Sequence, residues 1–442
     1  MAFNQPVRRI AGVALFTLIG SAPAFAQTGA QTSAQTPAPS AFAGTLTGDW
    51  GGLRDRLKDR GVTLTAGEIT ETAWNAIGDT PQFVRTSGQL SLGATIDADR
   101  MFGIEGGKFQ VTISNRHGNA LTNDSPLGII QQVQPVYGRG QVWRLSQFWY
   151  EQSFSGGSIK LGRMSSAEDF ASSACDFQNL TLCGSAPGHI AHDVLYNFPV
   201  SQWGARVKLN VAPQHTVSVG VYESNPENLR PSQGFNFGFD VDDGFLTMVE
   251  TAWTPSFGQG LGGSYKVGGW YDTADVPDVV TDVNGDWRAL TGLPGQERSG
   301  RYGFYANALQ TVRAPEADGS GAIKVYMNAI VTDPRTNTLQ GKVAVGVAMT
   351  GPLAARPRDE IGFAVGAGGY NPRVTDSQQA QIEAGMRTLP AASREYVAEV
   401  YYGYRATPWL TLRPNLQWIH HPGGREDRPD MVVGGLKTVW TF

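Results

Sequence analysis

The sequence has 442 residues, 41% of them hydrophobic and 17% charged, with 55 glycines and a formal net charge of −4. That charged share lies well below the roughly 25% of ordinary soluble domains, and 35 basic against 39 acidic side chains, with no basic block, set nucleic acid aside. Two cysteines are too few to staple a small core, and the absence of any composition shift after residue 62 favours one large architecture over several domains.

Arg8 and Arg9 precede an apolar run from Ile10 to Gly20, and Ala24-Phe25-Ala26 follows it. This order predicts a Sec-type signal peptide over 1–26; the residues flanking the arginine pair give twin-arginine export little support. Residues 27–47 are small, polar and proline-punctuated, which predicts a flexible tether. Asp49 as an N-cap, Trp50, Leu53 and Leu57 on one face, and Gly61 as a stop then predict a short amphipathic helix over 48–61. That helix is expected to pack against the rest of the chain, with a membrane-surface role as the alternative.

From Val62 the period changes to two. Alternating segments of about ten residues, the length a tilted strand needs to cross a bilayer, fall at 62–74, 86–98, 107–116, 143–154, 157–164, 203–211, 215–223 and 247–254. Eight more follow at 263–272, 301–311, 321–331, 339–349, 360–368, 396–405, 409–419 and 432–442. The even-numbered connections are mostly tight, such as Ser155-Gly156, whereas the odd-numbered ones are mostly long, such as His117 to Val142 and Ser165 to Gln202. Counting Ile190 to Phe198 as a strand would break that parity, so it is assigned to the loop. Short turns at one end and long loops at the other predict a sixteen-stranded antiparallel transmembrane β-barrel over 62–442, with the helix on the short-turn, periplasmic side.

The faces agree. Trp203, Ala205, Val207 and Leu209 oppose Arg206, Lys208 and Asn210, and Leu410, Leu412, Leu416 and Trp418 oppose Thr411, Arg413, Asn415 and Gln417. A mid-strand Arg or Lys facing lipid would cost roughly 2–4 kcal/mol, so these second faces are expected to line a wet lumen. The last stretch, Met431 to Phe442, puts Val432, Leu436, Trp440 and Phe442 on one side and Lys437 on the other. It is read as the closing strand that pairs with the first.

These features resemble the carbohydrate-selective porins of the OprB type from Gram-negative outer membranes. The resemblance covers nearly everything after residue 44. It rests on Gly48-Asp-Trp-Gly-Gly-Leu-Arg54, Tyr137-Gly-Arg-Gly-Gln141, Trp149-Tyr-Glu-Gln152, Lys160-Leu-Gly-Arg163 and Cys175-Asp-Phe-Gln-Asn-Leu180 with Cys183-Gly184. Further matches are Trp203-Gly-Ala-Arg206, Gly220 to Pro226, Tyr265-Lys-Val-Gly-Gly-Trp-Tyr-Asp272, Thr407 to Gln417, Pro422-Gly-Gly424 and the terminal Phe442. The resemblance implies a sixteen-stranded barrel for passive sugar uptake.

A sugar channel needs charged hydrogen-bonding groups for hydroxyls and aromatic faces for pyranose rings, held weakly enough for release. By parity the candidate lining residues are Arg85, Arg116, Arg206, Lys208, Lys266 and Arg413 as donors, Glu250, Asp272 and Glu399 as acceptors, and Trp270 and Tyr326 as aromatics. Cys175 and Cys183 are expected to form a disulfide in the oxidising compartment an exported chain passes through. His189-Ile-Ala-His192 lacks an adjacent third metal ligand, and Asp282, Asn284 and Asp286 have calcium-loop spacing without the distal Glu, so no cofactor is expected. Gly258-Gln-Gly-Leu-Gly262 is followed by no helix and reads as a turn, not a dinucleotide fingerprint.

Expected partners are small sugars such as glucose as permeating solutes, outer-membrane lipid and lipopolysaccharide outside, and the barrel assembly machinery through Phe442, for a monomer. The competing functions are a porin for small anionic metabolites, suggested by the excess of basic candidates; an outer-membrane barrel enzyme, for which no G-x-S-x-G or equivalent is present; and a soluble glycan-binding β-protein.

Overall fold

The computed structural model describes residues 40–125 and 127–442. The predicted signal peptide and residues 27–39 of the predicted tether lie outside the described residues. Sixteen strands form: β1 Val62–Ile77, β2 Val84–Asp97, β3 Gly107–Gly118, β4 Trp143–Phe154, β5 Gly157–Met164, β6 Gln202–Ala212, β7 His215–Glu223 and β8 Phe245–Trp253. They continue with β9 Gly263–Asp282, β10 Gly295–Arg313, β11 Ile323–Thr332, β12 Leu339–Thr350, β13 Glu360–Tyr370, β14 Arg394–Thr407, β15 Leu410–His420 and β16 Met431–Thr441.

Each strand pairs antiparallel with its sequence neighbours, and β1 pairs with β16 from Gly67 opposite Thr441 to Ile77 opposite Val432. Closure leaves no sheet edge, so every backbone polar group of the wall can be satisfied inside a bilayer. Val207, Val249, Val267, Phe304, Val343, Val365, Leu416 and Leu436 sit exposed on the outer face, while Gln417, Glu399 and Lys437 at the opposite parity are buried inside. The apolar side of the closing strand therefore meets lipid. The β9–β10 hairpin departs from expectation: the segment 273–300, read as a loop, is largely strand, with Val276 opposite Arg298 and Asp282 opposite Gly295. Its alternation was masked by aspartates that the extended ladder carries outside the apolar band.

The segment before the barrel also corrects the sequence reading. Residues 40–47 are a run of turns; Phe42 is buried, and the Leu46 N–H donates to the Thr441 carbonyl at 2.9 Å. The helix α1 spans only Leu53–Asp59, because Gly48, Trp50, Gly51 and Gly52 all take positive φ ahead of it. Asp49 still caps locally, its Oδ1 accepting the Gly52 N–H at 2.9 Å. The buried face is not the apolar one: Trp50 and Leu53 are 49% and 43% exposed, while Arg54 is 4% exposed. The Arg54 guanidinium donates to the carbonyls of Gly48, Leu64 and Phe442 and lies over the Phe42 ring. Two guanidinium nitrogens that find this many acceptors outcompete a leucine for the interior. Gly61 ends the segment as expected, at φ 92, where a Cβ would sit 2.9 Å from the Asp97 carbonyl oxygen.

Candidate functional site

Alternation turns charge toward the lumen, but that lumen is not an open wet tube. The loops 119–142 and 165–201 fold into it and build two apolar clusters against the wall. In one, Phe170, Ile190, Val194 and Leu195 of the second loop pack on Tyr222, Leu246, Met248, Trp270, Tyr305 and Ile330. In the other, Leu121, Leu127, Val133, Phe177 and Leu182 pack on Ala344, Ala364, Val397, Tyr401, Ile419 and Val433. Each fully buried side chain of this size contributes roughly 1.5–3 kcal/mol, enough for inward-folded loops to stay seated. The stretch around Val194, correctly left out of the strand count, is thus apolar because it fills the barrel.

Polar wall groups fasten the loop backbone between these clusters. Glu399 accepts the N–H groups of Gln178 and Asn179, both at 2.7 Å. Lys342 donates to the carbonyls of Leu180 and Thr181, and its Nζ lies 2.9 Å from His189 Nδ1. Lys437 donates to the carbonyls of Cys175 and Phe177 and pairs with Glu71 at 3.3 Å. A disulfide joins Cys175 to Cys183 within the same loop. Burial, with the Lys342 charge beside it, holds the His189 ring well below the usual imidazole range. His189 is therefore a neutral packing partner of Lys342, and the described residues contain no group of three or more His, Cys, Asp or Glu placed to hold a metal.

All eleven predicted lining residues lie on lumen-facing positions, but most are engaged with the loops or with each other's neighbours. Arg85 pairs with Asp124 of the first loop at 2.6 Å, and Arg413 with Asp176 of the second at 2.9 Å. Arg206 binds Glu151 and Asp169, and Lys266 donates to Ser172. Glu250 accepts the Ala171 N–H at 2.7 Å and the Tyr305 hydroxyl at 3.1 Å, and Asp272 pairs with Arg301 at 2.9 Å. Of the aromatics, Trp270 is 4% exposed under the second loop, and Tyr326 donates its hydroxyl to the Leu182 carbonyl. Lys208 is exposed and, among the described residues, has no carboxylate within 4.0 Å.

Between the clusters a cavity of about 1060 Å³ remains, and of the eleven predicted lining residues only Arg116 is on its wall, beside the disulfide cysteines Cys175 and Cys183. Its other charged walls are Arg139, Glu168, Asp193 and Lys437, with His189 and His192. Glu168 shares Lys160 with Asp169, and Asp193 shares Arg301 with Asp272. Arg116 instead donates to the carbonyls of Tyr137 at 2.9 Å and Phe198 at 3.2 Å and to Gln89 Oε1 at 2.8 Å. Arg139 donates to the His192 carbonyl at 2.7 Å. Its backbone is left-handed at φ 64 between Gly138 at φ 99 and Gly140 at φ 75, a conformation that costs a non-glycine residue about 1–3 kcal/mol. A Cβ at position 140 would come within 2.9 Å of Pro231 Cγ, which explains the glycine there.

Sequence reasoning missed two kinds of residue. Glu71, Lys160, Arg301, Lys342 and Lys437 face inward by the same parity that found the others. Arg144 was hidden by a bulge: Thr112 faces Gln147 but Ile113 faces Leu145, so Ser146 is an extra residue that turns Arg144 inward. Arg144 then donates to the carbonyls of Arg139 at 2.6 Å and Asn228 at 2.9 Å. At the tip of the β9–β10 hairpin, Asp282 Oδ1 accepts the N–H groups of Asn284 and Asp286, an ordinary turn use of that motif.

Comparison with known proteins places this arrangement. The family model described as carbohydrate-selective porin, OprB family, matches residues 82–442. Porin B of Pseudomonas aeruginosa is 38% identical over 413 residues, covering 90% of this chain and 91% of the relative. The high-pH structure of Pseudomonas putida OprB superposes with a TM-score of 0.87 at 38% identity, covering 91% of this chain and 99% of that one.

Proposed function

The chain belongs to the OprB family of carbohydrate-selective porins, and we propose that among sugars it admits monosaccharides such as glucose, driven only by their gradient. It is a channel of the Gram-negative outer membrane, not an enzyme, and sugars are its permeating solutes. The observation that carries the finer reading is the polar cavity of about 1060 Å³ left between the two inward loops, a space of the size that encloses a small ligand while still opening to solvent. Its alternating donors and acceptors, Arg116, Gln131, Glu168 and Asn197 among them, can replace the hydration of successive hydroxyls.

In this reading the short turns and α1 face the periplasm, the barrel works as a monomer surrounded by lipid and lipopolysaccharide, and Phe442 closes the strand read by the assembly machinery. The test is the conductance of the purified protein in a planar bilayer during glucose titration. Current that falls and saturates with glucose is expected. Strong anion selectivity with no response to glucose would overturn the sugar reading.

A further inference from the structure

The outer wall carries a groove of about 620 Å³ across β12 to β15. Its floor is low because Ala367 and Ala398 stand at outward positions whose neighbours are larger: Val343 and Tyr396 lie opposite Ala367, and Val365 and Trp418 lie opposite Ala398. Those four neighbours are exposed, so the groove opens away from the lumen. Its volume falls within the range of pockets that hold a ligand. Apart from His420 and His421 at the long-loop end, its side chains are aliphatic or aromatic.

A cation stands at that same end. Arg394 opens β14, two residues before Tyr396 on the same outward parity, and pairs with Gly369. A Cβ at position 369 would lie 2.8 Å from Arg394 Cγ, so the arginine stem crosses Gly369, one outward position beyond Ala367. Arg394 is exposed and, among the described residues, has no carboxylate within 4.0 Å. The acids around it are engaged elsewhere: Glu395 turns inward to the N–H groups of Ile130 and Gly423, Asp430 takes His420 and Trp418, and Asp427 takes Arg425. Glu426 of the same loop has no cation within 4.0 Å among the described residues.

We propose that this groove and Arg394 bind the lipid A part of lipopolysaccharide, with an acyl chain over the two alanines between Tyr396 and Trp418 and a phosphate on the Arg394 guanidinium. This rests on the reading that puts the long loops on the outer side of the membrane. Tyr and Trp at a barrel rim mark the level where head groups meet chains. An apolar groove with a free cation just beyond that level therefore matches an anionic lipid in the order chain, then phosphate. A guanidinium takes phosphate in two parallel bonds. A second copy of the chain fits less well, because a two-fold contact would set groove against groove and Arg394 toward Arg394.

The test is native mass spectrometry of the purified protein, stripped of lipid and then given lipid A, dephosphorylated lipid A or phosphatidylglycerol in turn. Wild type is expected to retain one lipid A about fivefold more tightly than either of the others, the scale of one partly exposed ion pair. R394Q should lower lipid A to the level of its dephosphorylated form, and Ala398→Leu, which fills the groove, should lower all three severalfold. No retained lipid A in wild type, equal retention of all three, or an unchanged preference in R394Q would overturn the site. A lipid-free dimer would overturn it in favour of a second copy. Preference for phosphatidylglycerol would overturn it together with the orientation, by putting this rim in the periplasmic leaflet. If either variant does not insert, the wild-type preferences and the other variant decide. Glucose block tests the sugar reading separately, since neither residue faces the lumen.

Discussion

Two sides of the lumen hold the loops by the same kind of bond and differ in what charge is left over. On the side built by β12 to β16 and β1, Lys437 pairs with Glu71 while it holds the loop backbone, so there fastening and neutralisation coincide, whereas Lys342 and Glu399 fasten the loop through its carbonyl and N–H groups. On the side built by β3 and β4, Arg116 and Arg144 fasten the first loop through carbonyls, and no acid is paired with them. A lumenal charge can therefore be an anchor without being spent.

The sharpest break of the anchoring side is Glu399→Ala, which strands two buried N–H groups at a cost of roughly 1–3 kcal/mol each. The second loop should unseat, with single-channel conductance rising severalfold and glucose block lost; unchanged conductance would show that the apolar clusters suffice alone. Arg116→Leu removes contacts to Tyr137 and Phe198 together, and should raise conductance about twofold while lowering anion preference, since it takes away charge as well as fastening. If only conductance moved, the two sides would be alike.

Acid gives a smaller effect on the anchoring side. The His189 ring is depressed by burial, Lys342 and Arg139. A loop swung out of the barrel would bind a proton below the ordinary imidazole value of about 6.5, whereas the seated loop resists it. Seating is thus fully supported above that value and weakens as pH falls beneath it. Conductance that rises between pH 7 and 5 in wild type, and not in His189→Asn, would verify the sign. Reduction of the Cys175–Cys183 bridge should change conductance less than about twofold, because Lys437 and Glu399 hold the same loop. Smallest of all is Lys208→Ala, exposed and unpaired: a shift of a few millivolts in reversal potential under a salt gradient, on the order expected of one screened surface charge.

The barrel itself was legible in the chain. Period-two alternation with mid-strand Arg206 and Arg413 fixes which face is wet, and the sorting of short and long connections rejects Ile190 to Phe198 as a strand. What alternation cannot encode is where a loop goes. Phe177, Leu182, Val194 and Leu195 are apolar loop residues, and nothing local in their order distinguishes a loop that fills a barrel from one that caps it. Parity therefore found Glu250, Glu399 and Arg413 as inward residues but not their loop partners, and it could not reach Arg139, which lies on no strand. Arg144 fell to a different cause, since one bulged residue reverses every parity argument beyond it. In the N-terminal segment, the expectation that leucines seek the interior failed at Arg54 because carbonyl acceptors from three separate places meet there.

That meeting has a consequence for how the molecule is made. The carbonyls bound by Arg54 belong to its own turn, to the start of β1 and to the final residue, so one side chain bridges positions 388 apart. Bringing ends so distant together costs conformational entropy that grows with the logarithm of the intervening length. All other strand pairs join sequence neighbours; the β1–β16 seam joins the two strands farthest apart in the chain. Arg54 thus latches the seam with the largest closure entropy, and weakening it should lengthen the lifetime of an open, half-inserted sheet before it alters any property of the finished pore.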